Sequence, residues 1–328
     1  CVMSRPLPGA GALKDHYEPL RNLADVEAIE KIPLEQRITR WDFALNLLEG
    51  CRAEPSRIAL YATHNGNVDG EVRTWTFGEL EQRAIQCANF LRASGMEADD
   101  VVAIVSPTVL GLFAAMIGGL LAVRVFPINW MLDAHALADL MHRAQVKMVI
   151  ALAPTQGFSV WENVQAAIAS LSSQPKLVTL HEAFNEPAKD DLLAAASKLP
   201  CDKLTFPRET AKRDSIACYV HSGGTTGHPK IVKILHGGMV FRHWAANNGL
   251  AFTRDDVVLS DTPLFHIGGL LVRGLVNTAN GNTAVIPSIF GARDKTYIAN
   301  YWRYIERFGI TQVSGVPTTL SVLAKNPP

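Results

Sequence analysis

Residues Ile216–Ile231 read IACYVHSGGTTGHPKI, joining an apolar, strand-like run to a loop of glycine and small hydroxyl residues. Gly223, Gly224 and Gly227 have no Cβ to hold a polyanion off the backbone. Ser222, Thr225 and Thr226 bring hydroxyl donors and Lys230 a positive charge, so the loop reads as a triphosphate cradle. It is not a Walker A loop, Gly-x-x-x-x-Gly-Lys-Ser/Thr, in which a helix follows directly and aims its N-terminus at the anion. Pro229 stands where the second glycine belongs, and Ile231 where the metal-binding hydroxyl belongs. The IVKIL that follows is β-branched and predicts a second strand, so the loop is a bend between two buried strands and binds without a helix dipole. The competing readings are a plain turn between strands and a solvated surface role for Lys230.

At these residues the chain resembles the adenylate-forming superfamily, whose signature runs Thr-Ser-Gly-Ser/Thr-Thr-Gly-x-Pro-Lys-Gly. Ser222, Gly224, Thr225, Thr226, Gly227, Pro229 and Lys230 match it, while Gly223 replaces a serine and Ile231 the final glycine. The Gly-Gly-Thr-Thr-Gly variant followed by His236 is similar to an acyl-CoA synthetase branch. A second landmark, Thr262–Leu271 or TPLFHIGGLL, resembles the family element that sets a histidine and an aromatic ring beside the carboxylate being activated. A weaker likeness covers Thr311–Leu320, TQVSGVPTTL, which resembles the strand and turn before the family's adenine site.

The resemblance implies a two-step activation: a carboxylate attacks the α-phosphate of ATP, pyrophosphate leaves, and a thiol takes the acyl group. Ser222, Gly223, Gly224, Thr225, Thr226, Gly227 and Lys230 are then the nucleotide site, and His266 is the catalytic candidate that positions the carboxylate. Trp244, Phe265, His266, Gly268, Gly269 and Val272 are the candidate acid site, with Leu264, Leu270 and Leu271 beside them. Core packing is an equally good reading for each apolar residue of that set. An apolar wall favours a fatty or aromatic acid. An amino acid would need a buried partner for its ammonium group, and Asp261, the nearest acid, reads as a strand-end cap.

ATP, Mg2+ and CoA are the implied cofactors, with no magnesium ligand in this chain. The family's Tyr-Gly-x-Thr-Glu loop, ribose-binding Asp and catalytic Lys lie downstream of the matching region. The chain therefore reads as the front part of a larger enzyme, inactive alone; a non-catalytic nucleotide- or acyl-binding module is the alternative.

The 328 residues, 48% apolar and 19% charged, suit a globular α/β body. Zero net charge argues against a nucleic-acid partner, which needs a basic stripe. Cys1, Cys51, Cys87, Cys201 and Cys218 form no Cys-x-x-Cys pair, which fits a reduced, cytoplasmic location with Cys87 and Cys218 packed in the core. The apolar run Val109–Val123 is shorter than the roughly 20 residues of a membrane span and predicts a buried helix whose Gly118 and Gly119 pack on a sheet. His221, His228, His236, His243 and His266 crowd the loop but match no metal spacing. Val220 occupies the glycine position that would make Ser222 a hydrolase nucleophile.

Strand-like and helix-like segments alternate almost throughout, the pattern of a largely parallel sheet with helices on its faces. Thr76–Glu79 predicts a capping box opening a helix that ends near Gly95. Further helices are predicted from Gly238, from Gly268 and over 294–308, and strands at 257–260, 283–287 and 311–316. Residues 182–214 predict a surface connection with one short helix. The family fold implies two stacked parallel-rich sheets with flanking helices, incomplete at the C-terminus. It divides the chain into an arm (1–34), one subdomain of 35–95 with 246–328, and another of 96–245, without the C-terminal lid domain.

Overall fold

The computed structural model describes residues 20–187, 190–223, 229–249, 252–313 and 315–325. Polar caps start the early helices. Asn22 accepts from the Asp25 amide ahead of α1 (Leu23–Glu30), α2 (Leu34–Arg37) follows Pro33, and Asp42 accepts from the Leu45 amide to open α3 (Phe43–Ala53). β1 (Ile58–Thr63) and β2 (Val72–Thr76) pair antiparallel. Thr76 and Glu79 then close both bonds of a capping box at α4 (Phe77–Ala93), which ends before Gly95 at φ +86°.

A run of βα units follows: β3 (Val101–Val105), α5 (Leu110–Ala122), β4 (Arg124–Pro127), α6 (Ala134–Arg143), β5 (Val146–Leu152), α7 (Val160–Ala169) and β6 (Lys176–Leu180). The connection over 182–214 holds α8 (Leu192–Ala196), and its Asp191, Leu192 and Ala196 are buried, so part of it is core. β7 (Ile216–His221) and β8 (Ile231–Leu235) flank the glycine-rich loop. After them come α9 (His236–Gly249), β9 (Val257–Leu259), a π-helical turn at Gly268–Gly274, α10 (Leu275–Asn280) and β10 (Thr283–Ile286). The last elements are α11 (Lys295–Ala299), α12 (Tyr301–Phe308) and α13 (Pro317–Lys325).

The strands make a six-stranded sheet, ordered β6-β5-β3-β4-β7-β8, and a four-stranded sheet, ordered β2-β1-β10-β9. Among the described residues, only the β7–β8 and β1–β2 pairs are antiparallel. In β10, Ala284 and Ile286 face the main core while Val285 faces a second core of Tyr297, Tyr301, Tyr304 and Ile310, the two-residue alternation of a strand covered on both sides. Helices α4 and α5 fill the layer between the sheets: α4 packs on β1 and β2, α5 on β4, and the two helices on each other. All 13 residues of α5 are buried, as a helix apolar on every side requires. No helix among the described residues is long and apolar enough to cross a membrane.

Five local expectations need correction. β8 is an edge strand with Val232 45% exposed, so the glycine-rich loop joins one largely buried strand to one open one. The helix at Gly268 begins as a π turn. The 294–308 helix breaks at Asn300 into α11 and α12, and Gly309 at φ +60° closes it. Of the strand at 311–316, the described residues show one bridge, between Gln312 and Val258, and Ser314 lies outside the described residues. Gly119 meets the sheet, where a Cβ would come 2.5 Å from Val125 Cγ2, but Gly118 meets α4, where a Cβ would come 2.6 Å from the Ala84 carbonyl oxygen and from Cys87 Cβ.

Candidate active site

The β7–β8 ladder ends at His221 opposite Ile231, and the glycine-rich loop starts there. Its neck is closed twice: the Ser222 amide donates to the Lys230 carbonyl at 2.9 Å, and the Lys230 amide donates to Ser222 Oγ at 3.0 Å. Ser222 therefore shapes the loop as an acceptor, a role beyond the phosphate contact read from sequence. Lys230 is exposed, and among the described residues nothing lies within 4 Å of a Cβ placed on Gly223. Arg143 of α6 donates to the Pro229 carbonyl at 2.9 Å and ties down the outer side of the loop. Gly224, Thr225, Thr226, Gly227 and His228 lie outside the described residues.

His221, which the sequence reading did not assign to the site, links three elements. Its Nε2 accepts the Asn129 amide at 3.0 Å from the segment after β4, and its Nδ1 lies 3.2 Å from the Ser222 carbonyl. Its ring stacks on Phe265 with centroids 6.3 Å apart and an interplanar angle of 11°. One nitrogen accepting and the other positioned to donate describes a neutral imidazole. Burial pushes His221 below its ordinary value, which favours that form. The only sequence signal for this role was its position next to Ser222.

Phe265 is half-buried and His266 exposed at the tip of the segment after β9. The His266 amide donates to the Pro263 carbonyl at 3.1 Å, and its carbonyl accepts from the Leu270 amide at 2.8 Å. Its Nδ1 accepts the Gly268 amide at 3.0 Å, which leaves Nε2 to carry the ring proton. Gly269 is buried against the chain: a Cβ there would sit 2.0 Å from the Pro263 carbonyl oxygen, so backbone packing requires this glycine whatever binds nearby. Val272 on the π turn is 37% exposed. Leu264, Leu270 and Leu271 are buried in the main core. Trp244 stacks with Phe241 at 5.9 Å and lies 4.9 Å under the Arg37 guanidinium, contacts that reach towards α2. Its helix, α9, packs on the π turn.

Asp261 is more than a strand-end cap. It is 2% exposed, ion-paired to Arg273 and bonded by the Tyr297 hydroxyl at 2.9 Å. His236 and His243 are likewise structural. His236 Nδ1 accepts the first amide of α3, from Phe43, at 3.2 Å. His243 is buried edge-on to Phe43 between Asn46 and Asn247, and burial pushes it down to about 4. Burial also pushes the thiols of Cys87 and Cys218 up to about 12, which makes them inert core residues.

The strand end that opens the glycine-rich loop and the Phe-His segment thus meet at the C-terminal ends of β7 and β9, where open α/β sheets place their ligands. Residues 47–328 match the family model described as AMP-binding enzyme, and the chain belongs to that family. It is 26% identical over 317 residues to the marinolic acid–CoA ligase of Pseudoalteromonas sp. (strain SANK 73390), covering 94% of this chain and 48% of that protein. It is 28% identical over 261 residues to the sulfoacetate–CoA ligase of Cupriavidus necator, covering 77% of this chain and 46% of that one. Among solved structures, ATP-bound MatB from Rhodopseudomonas palustris shares the fold with a TM-score of 0.71 at 21% identity, over 88% of this chain and 52% of that one. The chain spans about half the length of the curated relatives it matches.

Proposed function

We propose that this chain is the ATP- and acid-binding part of an AMP-forming acid–CoA ligase. The carboxylate attacks the α-phosphate of ATP, pyrophosphate departs, and the thiol of CoA takes the acyl group from the adenylate. The stack of His221 on Phe265 carries this reading, because it brings the end of the glycine-rich loop against the segment that holds His266. Membership of the AMP-binding family supports it, as do the chain's similarities to marinolic acid–CoA ligase, sulfoacetate–CoA ligase and feruloyl-CoA synthase.

In this reading Ser222, Gly223, Gly224, Thr225, Thr226, Gly227 and Lys230 hold the polyphosphate. Loop donors and the Lys230 charge stabilise the pyrophosphate as negative charge builds on it. With Nδ1 occupied by the Gly268 amide, His266 presents Nε2–H to the carboxylate. Phe265, Gly268, Gly269 and Val272 border the acid, and Trp244 contributes through α9. The mostly apolar border favours a fatty or aromatic acid, and Mg2+ enters with ATP. We assign residues 35–95 with 246–328 to one subdomain and 96–245 to the other, since β1 and β2 share a sheet with β9 and β10. A cytoplasmic setting fits substrates of this kind.

The test is acid-dependent ATP–pyrophosphate exchange by the protein encoded by the full reading frame, run with octanoate, benzoate and a hydroxycinnamate, alongside ATP binding by residues 1–328. Exchange with an apolar acid, lost in Lys230→Ala, is the expected result. ATP binding without exchange for any acid would favour a nucleotide-binding module. Absence of ATP binding would end both readings.

A further inference from the structure

We propose that Arg273 is a positioning residue: its ion pair with Asp261 closes the base of the loop carrying Phe265 and His266 and so fixes the His266 imidazole. This rests on the reading of His266 as the group that meets the acid. Asp261 lies just past β9 and Arg273 on the π turn, so the pair joins the two ends of segment 261–273. Arg273 Nη1 meets Asp261 Oδ1 and lies 3.4 Å from Thr262 Oγ1. The remaining oxygen, Oδ2, accepts the Tyr297 hydroxyl of α11 at 2.9 Å, and the Asp261 carbonyl accepts the Ala292 amide at 2.9 Å. The closed end of the loop is thereby anchored to the second core.

Inside this frame the loop has little freedom. A Cβ on Gly274 would come 2.4 Å from Leu264 Cδ2 and 2.6 Å from the Gly269 carbonyl oxygen, so the π turn lies directly on the Phe265 segment. Two bonds follow from that closure: Gly268 amide to His266 Nδ1, which sets the ring, and Leu270 amide to the His266 carbonyl, which sets the backbone. π-helical turns recur at functional sites because they re-aim the residues around them. Here the ion pair holds one in place. A neutral, well-packed pair could serve stability as well as a buried ion pair does, so stability alone does not account for these residues.

The test uses two variants of this chain, Arg273→Met and the double variant Asp261→Asn/Arg273→Gln, which leaves no lone buried charge. The readouts are thermal unfolding, hydrogen exchange of the Gly268 amide, the 15N shifts of the His266 ring, and octanoate and ATP titrations. The double variant should fold, exchange Gly268 at least about tenfold faster while β10 amides keep their protection, and move the His266 ring shifts. Octanoate affinity should fall about tenfold with ATP affinity changed less than about twofold. A folded double variant with wild-type Gly268 exchange and His266 shifts would overturn the proposal, and unfolding of both variants would reduce the pair to a stability element and overturn it too. If the wild-type chain binds no octanoate, the functional reading is at fault, and the Gly268 and His266 readouts still decide this one.

Discussion

His221 and Phe265 lie nearly parallel, 6.3 Å apart, so the end of β7 and the segment after β9 meet through one aromatic contact between the two sheets. His221→Phe keeps a ring at that position but removes the acceptor for the Asn129 amide. One lost hydrogen bond of about 1 kcal/mol predicts roughly fivefold weaker ATP binding, measured by calorimetric titration. The contact also predicts a pH dependence. Burial holds His221 below its ordinary value of 6.5, so the neutral ring is favoured above that pH and its support is lost as pH falls towards the folded-state value. ATP affinity should therefore weaken in the wild type as pH falls through the folded-state value, which lies below 6.5, and His221→Phe should lack that component.

Lys230 separates a phosphate contact from a solvated surface charge. If it meets the polyphosphate, Lys230→Ala lowers ATP affinity about tenfold while leaving the melting temperature unchanged, since its side chain is exposed. Equal affinities for the two proteins would return Lys230 to the surface and leave the loop amides and hydroxyls as the whole site.

The strongest stability effect is expected at Asp42. Its fully buried carboxylate receives two bonds from Arg208, at 2.7 and 2.9 Å, and the Ala211 amide at 2.8 Å. Burial alone would raise Asp42, but Arg208 and the amide outweigh it and hold the group below its ordinary value of 3.8. Asp42→Asn leaves Arg208 uncompensated and should cost about 3–5 kcal/mol in urea unfolding. A depressed acid contributes stability above its unfolded value and loses it as pH falls through the folded one. The Asp42 contribution thus holds above pH 3.8 and disappears below it, and the variant should lack that acid-side step.

His243 titrates in a different window. Buried and held down to about 4 from an ordinary 6.5, it stays neutral in the fold while the unfolded chain takes up a proton. Stability is then full above pH 6.5 and falls as pH drops towards about 4, by a total on the order of 3 kcal/mol. A pH series of urea midpoints should show this slope in the wild type and lose it in His243→Asn.

Gly118 sets the approach of α5 to α4. Gly118→Ala gains up to about 1 kcal/mol of helix propensity but forces a methyl against the Ala84 carbonyl and Cys87, an overpacking cost of about 1–3 kcal/mol. A net loss of stability is expected on thermal unfolding. A gain would mean that the two helices can separate without penalty.

Much of the fold was legible because local patterns carry it. The Thr76 capping box, the all-apolar α5 and the βα alternation from 101 to 180 depend on neighbours close in sequence, and each is found where it was read. The 311–316 strand and the unbroken 294–308 helix differ because neighbours distant in sequence decide them: among the described residues of 311–316 only Gln312 makes a bridge, to Val258, and α12 turns its tyrosines into the second core.

By itself the sequence determined that glycines, hydroxyls and one lysine follow an apolar strand, the composition from which a phosphate role is proposed, and it marked Phe265 and His266 as a second landmark. Only tertiary structure could show that His221, at the entry to the loop, stacks on Phe265 and that Asp261 is locked to Arg273 rather than serving as a strand-end cap. Those contacts link residues on separate elements, and burial, which the linear order of the chain does not display, decides which side chains must find a partner.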